Sequence, residues 1–196
     1  MQSKMQKLNK LNEQMQQCAK CALRKSCSRV VFGEGSAEAE IMFIGEAPGK
    51  KEDETGQPFV GSSGRILDKM LADIHIGRKD IYVTNVCKCR PPENRDPNPE
   101  EIQMCWPWLE KQIKIINPII IITLGKYALN YFLPSAKISA VHGQIINIDI
   151  KKIGKINLFP LHHPAAARIS KKTRALFNAD FKKIPNILEK IKKESS

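Results

Sequence analysis

Pro118-Ile119-Ile120-Ile121-Ile122-Thr123-Leu124, closed by Gly125, is the stretch that decides the fold. It has the length of a strand and falls far short of the roughly 20 apolar residues that a membrane-spanning helix needs. A β-branched run without polar alternation suits a central parallel strand, because helices cover both of its faces. Helices flank it in sequence. Upstream, Asn98 is an N-cap, Pro99 fits the first helical position, and Glu100 and Glu101 complement the positive helix start. Downstream, residues 126–133 begin another helix. Three further runs resemble the first: Glu40-Ile-Met-Phe-Ile-Gly45, Asp80-Ile-Tyr-Val-Thr-Asn-Val86, and residues 155–161. Residues 145–150 alternate polar with apolar and suit a hairpin partner for the last run.

Between the strands lie segments of helical spacing. Ile66, Leu67, Met70, Leu71 and Ile74 recur in residues 65–74, Met5, Leu8, Leu11 and Met15 near the N-terminus, and residues 173–193 form a basic helical tail. Strand alternating with helix predicts an α/β fold: a three-layer αβα arrangement around a central, four-stranded, mainly parallel sheet. With 196 residues, 42% of them hydrophobic, and no repeat or linker, the chain reads as one domain over residues 1–196.

The charge is +12, from 32 Lys and Arg against 20 Asp and Glu, an excess that attracts polyanions, nucleic acid first among them. Residues 1–17 are polar and mixed, unlike a secretory signal, so the expectation is a cytoplasmic protein without a membrane segment. In that compartment the six cysteines point to metal, cluster or catalytic use rather than disulfides.

In open α/β sheets the chemistry lies past the carboxyl ends of the strands. Here those positions are residues 45–49, 85–89, 125 and 162–167, the loops richest in Gly, Pro, Asn, His and Cys. Residues 46–64 hold too many Gly and Pro for a regular element and read as a long ordered loop, a class that is usually functional. Its glycines match neither a phosphate-binding Walker loop nor a dinucleotide fingerprint. Its acids and Phe59 suit a pocket for a flat polar ring. Cys18-x-x-Cys21 can direct two thiolates at one centre; Cys87 and Cys89 flank Lys88, Cys105 lies on the following helix, and Cys27 stands apart. Four thiolates suit zinc or an iron–sulfur cluster alike.

Three segments then carry a resemblance: Gly45-Glu46-Ala47-Pro48-Gly49 through Gly56-Gln57-Pro58-Phe59-Val60-Gly61, Thr84-Asn85-Val86-Cys87-Lys88-Cys89-Arg90-Pro91-Pro92, and His163-Pro164-Ala165-Ala166. With Cys18-x-x-Cys21 and Val31-Phe32-Gly33-Glu34-Gly35, they resemble the signature segments of family 4 uracil-DNA glycosylases, in order, from about Cys18 to Arg168. The resemblance implies an enzyme that flips uracil out of DNA and hydrolyses its N-glycosidic bond. It implies a structural 4Fe–4S cluster on Cys18, Cys21, Cys89 and Cys105, leaving Cys27 and Cys87 spare; Cys89 is preferred to Cys87 because it directly precedes Arg-Pro-Pro.

The same resemblance assigns roles. Phe59 stacks on the base, Asn85 reads its edge as donor and acceptor, and His163, rather than His162, stabilises charge on O2. Glu46 handles the attacking water, with Ala47 standing where another glycosylase family has a catalytic Asp. Ala47, Gly49 and Glu52 complete the substrate pocket, Glu52 walling the C5 side against thymine. Arg168, Lys171, Lys172 and Arg174 meet phosphates of uracil-containing DNA, the partner of a monomeric enzyme. All of this requires Glu46, Phe59, Asn85 and His163 to converge on one pyrimidine-sized cavity. Rival readings are a non-enzymatic nucleic-acid-binding module holding zinc or a cluster, and a superfamily glycosylase with another base preference.

Overall fold

The computed structural model describes residues 2–195, without the side chains of Ala167, Ile169 and Ser195; Met1 and Ser196, the ends of the expected domain, lie outside the described residues. The elements run α1 (Lys4–Gln16), α2 (Leu23–Ser26), β1 (Glu34–Gly35), β2 (Ile41–Gly45), α3 (Lys50–Thr55), α4 (Ser62–Asp73), β3 (Tyr82–Asn85), α5 (Pro99–Ile116), β4 (Ile120–Leu124), α6 (Lys126–Phe132), α7 (Ile138–Val141), β5 (Ile146–Ile150), β6 (Gly154–Leu161), α8 (Pro164–Ile169), α9 (Lys171–Phe181) and α10 (Ile184–Ser195).

The sheet has six strands in the order β1-β3-β2-β4-β6-β5, not the expected four. The four parallel strands are those read from the sequence; the additions are antiparallel edges, β1 on β3 and β5 on β6. β1, with two residues, is too short to leave a pattern in the sequence. β5 is the expected hairpin partner of β6, its residues alternately half-buried and exposed.

Strand alternation sorts the apolar side chains into two layers. Met42, Ile44, Ile121 and Leu158 face α1, α5 and α6 through Leu8, Leu11, Leu109, Ile113 and Leu129. Phe43, Val83, Ile122 and Phe159 face α4, α9 and α10 through Leu67, Leu71, Phe177, Phe181 and Ile184. Both faces of β2 and β4 are therefore buried, as their unbroken hydrophobicity requires. The order of connection reverses between β2, which leads outward to β3, and the parallel β4 on the other side of β2, which leads outward to β6. A crevice opens at such a switch point, beyond Gly45 and Leu124.

Two local expectations differ from the structure. Residues 46–64 contain a short helix, α3, capped by Gly49 and by left-handed Gly56 at φ 78°, with Glu52 and Asp53 in its first turn. The glycines that argued against regular structure are its caps, and the acids suit the helix start. The basic tail is two helices, because Pro185 at the second position of α10 lacks an N–H and cannot continue α9.

Candidate active site

Asn85 ends β3 in register with Gly45 at the end of β2, and its side chain is buried. A side chain on Gly45 would lie 2.4 Å from Asn85 Oδ1 and 2.6 Å from Phe59 Cζ. Gly45 is therefore the floor over which Asn85 and Phe59 approach each other. Phe59 adopts φ 54°, a left-handed conformation costing about 1–3 kcal/mol for a bulky residue, so its surroundings must hold it. Arg78 donates to Pro58 O at 2.6 Å and to Phe59 O at 3.4 Å, and pairs with Asp68 at 2.6 Å. At Gly64 of α4, a Cβ would stand 1.6 Å from Phe59 O, so only glycine lets the helix approach. Across the loop, Gly61 N–H donates to Glu52 Oε1 at 2.7 Å, and Asp53 Oδ1 accepts from Ser28 N–H at 2.9 Å.

His163 caps α8, its Nδ1 accepting the Ala165 N–H at 3.1 Å. That bond puts the remaining ring proton on Nε2. Burial pushes the imidazole down to about 4, so it is neutral at pH 7 and its Nε2–H is a donor. Gly125, at φ 91°, brings the end of β4 against the ring: a Cβ there would be 2.9 Å from His163 Cβ. His162 turns elsewhere, its ring tilted 43° against that of His142 at a centroid distance of 4.6 Å, and His142 in turn meets Asp180 at 2.5 Å.

These residues enclose a cavity of about 370 Å³ lined by Ala47, Gly49, Glu52, Phe59, Asn85 and His163. Of the four side chains expected to converge, three do; Glu46 is not part of the lining. It lies one residue past β2, half-buried, where burial and the Asp96 carboxylate push its carboxyl up to about 7 against the pull of Lys126. Lys50, Lys51, Ser62, Ser63 and Arg65 complete the wall, and sequence reasoning passed over all five. Their signal was position: each lies in or beside the Gly-rich segment. Arg168 is exposed and donates to Ser62 Oγ at 2.8 Å; Arg174 lines an adjoining cleft, whereas Lys171 and Lys172 line neither space.

A second, apolar cavity is lined by Cys18, Cys21, Cys89 and Cys105, with Met15, Leu23, Val30 and Trp108 among its walls. Cys27 and Cys87 are buried outside that lining, Cys27 beside Cys89 and Cys87 beside Cys105. The Cys87 contact and the nearby Lys88 hold Cys105 down to about 7, and burial raises Cys21. Among the described residues no three His, Cys, Asp or Glu are gathered closely enough for a single metal ion.

Between the two cavities sits Lys88, which the sequence did not single out. It is fully buried, and its ammonium donates to Thr84 Oγ1 at 2.6 Å, Asn85 O at 2.7 Å and Gln112 Oε1 at 2.6 Å. Its backbone N–H reaches Cys105 Sγ at 3.3 Å. Gln112 continues the network to Phe32 O and the Tyr82 hydroxyl.

The sequence that builds this strand-end crevice is similar to those of known proteins. Residues 32–188 match the family model of the uracil DNA glycosylase superfamily. Among curated relatives, the type-4 uracil-DNA glycosylase of Archaeoglobus fulgidus is 41% identical over 174 residues, covering 86% of each chain. That of Saccharolobus solfataricus is 43% identical, covering 85% of this chain and 79% of its own, and that of Thermotoga maritima 39%, covering 83% and 85%. The chain belongs to the type-4 uracil-DNA glycosylases of this superfamily. No helix among the described residues is long and apolar enough to cross a membrane.

Proposed function

We propose that this chain releases uracil from DNA by hydrolysing the bond between base and sugar, leaving an abasic site. The observation that carries the reading is the meeting of Phe59, Asn85 and His163 around one cavity at the switch point of the sheet. A stacked base cannot be reached in the duplex, so the nucleotide must be flipped out, at about a few kcal/mol. Phe59 then offers its face to the pyrimidine, and the Asn85 amide pairs with the uracil edge. Neutral His163 donates from Nε2 to O2, a bond that strengthens as negative charge builds on the leaving base. Ala47 and Gly49 leave room for the ring. Glu52, tied to the Gly61 N–H, is a fixed wall against a C5 methyl. Glu46, standing outside the base cavity, acts from the sugar side: as a carboxylate it orients water and stabilises the cationic sugar. Arg168, Lys171, Lys172 and Arg174 meet DNA phosphates.

We further read Cys18, Cys21, Cys89 and Cys105 as the ligands of a 4Fe–4S cluster. The donor set fits: four thiols around one apolar cavity, with the buried Trp108 Nε1–H lacking any acceptor among the described residues. The bound cluster supplies cross-linking rather than bond chemistry, joining the α1–α2 connection to the segment after β3 and to α5. Cys27 and Cys87 are spare. A thiol-ligated centre suits the reducing cytoplasm, and we take the protein to act there as a monomeric single domain.

The deciding experiment is release of free uracil from a uracil-containing oligonucleotide by the coloured, purified protein, with a thymine oligonucleotide as control. Free uracil from the first alone is expected. Binding without base release makes the protein a nucleic-acid-binding module, and release of hypoxanthine in preference to uracil changes the substrate.

A further inference from the structure

The base cavity does not end at its rim. Ser62 and Arg65 also line a neighbouring cleft of about 490 Å³, between α4 on one side and α8 and α9 on the other. Arg65 and Lys69 project into it from α4, Arg168 and Arg174 from α8 and α9, and Asp73 is the one acid in its lining. Residues four apart share a helix face, so Arg65 and Lys69 form one positive edge despite their mutual repulsion. Neither makes an ion pair among the described residues, whereas Arg78, on the other side of α4, is tied to Asp68. Arg168 closes the lip by its bond to Ser62.

We propose that this cleft is a phosphate track for the DNA strand that carries the flipped nucleotide, with Arg65 and Lys69 as its α4 wall. The inference rests on the proposed glycosylase reading and extends it from the base to the backbone. A base seated against Phe59 and Asn85 leaves its sugar and phosphate at the mouth, where Ser62 and Arg65 belong to both spaces. The strand continues into the cleft, where an excess of positive side chains from three elements faces it. A cleft with this charge, larger in volume than the base pocket and sharing Ser62 and Arg65 with it, suits a run of phosphodiesters better than a single small anion.

The test is the salt dependence of binding to a single-stranded, uracil-free oligonucleotide, which needs no cleavage. Each phosphate contact contributes about 0.7 to the slope of log affinity against log salt on single strands. The double substitution Arg65→Gln, Lys69→Gln is expected to reduce that slope by about 1.4. Arg65→Lys, Lys69→Arg, which keeps both charges, is expected to preserve it. Lys7→Gln, Lys10→Gln removes the same charge from a separate basic patch beside α5 and serves as control. An unchanged slope in the first variant, or an equal loss in the control, overturns the track. Failure of the wild type to release uracil would instead sink the glycosylase reading, since the binding slopes are measured without it.

Discussion

In the base cavity every working side chain is fixed by the protein itself. Asn85 is pinned through its carbonyl by Lys88, Phe59 by Arg78 and Gly64, and His163 by the Ala165 N–H. In the thiol cavity the walls are mainly apolar, the Trp108 N–H has no acceptor among the described residues, and Cys105 Sγ meets the Lys88 backbone N–H. One site is pre-organised by hydrogen bonds and close backbone contacts; on the proposed reading, the other would gain cross-links from a cluster held by its thiols. They share the segment from Thr84 to Cys89, so a disturbance in one reaches the other through Lys88.

The sharpest way to break this contrast is His163→Ala. Losing one positioned donor to a developing anion costs about 10²–10³ in kcat, whereas affinity for DNA, set mainly by phosphates, changes little. Single-turnover rates with separate binding titrations check this; equal losses in both would remove His163 from the chemistry. Next is Lys88→Met, which leaves Thr84 Oγ1, Asn85 O and Gln112 Oε1 without their shared donor. An orphaned buried acceptor costs about 1–3 kcal/mol. Lower thermal stability is expected together with weaker discrimination of uracil from thymine, measured on paired oligonucleotides. A drop in stability with discrimination intact would mean that Lys88 holds the core but not the pocket.

Cys18→Ser separates the two cavities more gently. Iron content and melting temperature should both fall, by about 2–4 °C for each kcal/mol lost, whereas Cys27→Ser should retain its iron. Equal iron loss in both variants would revise the ligand set. The smallest expected effect is on pH dependence. Burial, and then Asp96, push the Glu46 carboxyl up to about 7, and the water-orienting role proposed for it needs the carboxylate form. Activity should therefore be full above that value and fall by about tenfold per pH unit below it. Glu46→Gln should lower the plateau and flatten the limb, and a limb that survives the substitution belongs to another group. His163, held down to about 4, stays neutral through this range and does not contribute the limb.

Much of this molecule is written in local patterns. Residues 118–124 announce a strand buried on both faces because no charged residue interrupts them and Thr123 is their one polar side chain, and Asn98-Pro99-Glu100-Glu101 announces a helix start by its caps. The loops that carry Phe59, Asn85 and His163 were legible because strand ends and Gly-rich segments are where such sheets place their chemistry, and the family resemblance picked out the three residues within them. The sequence could not show that residues 50–55 form a helix between two glycine caps, since six residues are too few for a periodic signal. Nor did it show Arg78 reaching back to Pro58 or Gly64 admitting the Phe59 carbonyl, because those contacts join residues with no local relation.

By itself, then, the chain's sequence determined the parallel strands, the longer helices α1, α4 and α5 around them, and the Gly-, Pro- and Cys-rich segments at the strand ends, all of which follow from hydrophobic period and residue type over a few neighbours. Tertiary structure alone decided that Glu46 stands apart from the base cavity while His163 enters it, that Lys88 is buried between the two cavities, and that α4 supplies a second wall of positive charge. Side-chain direction at a strand end and the meeting of distant loops depend on packing across the whole sheet, and no short window of sequence contains that information.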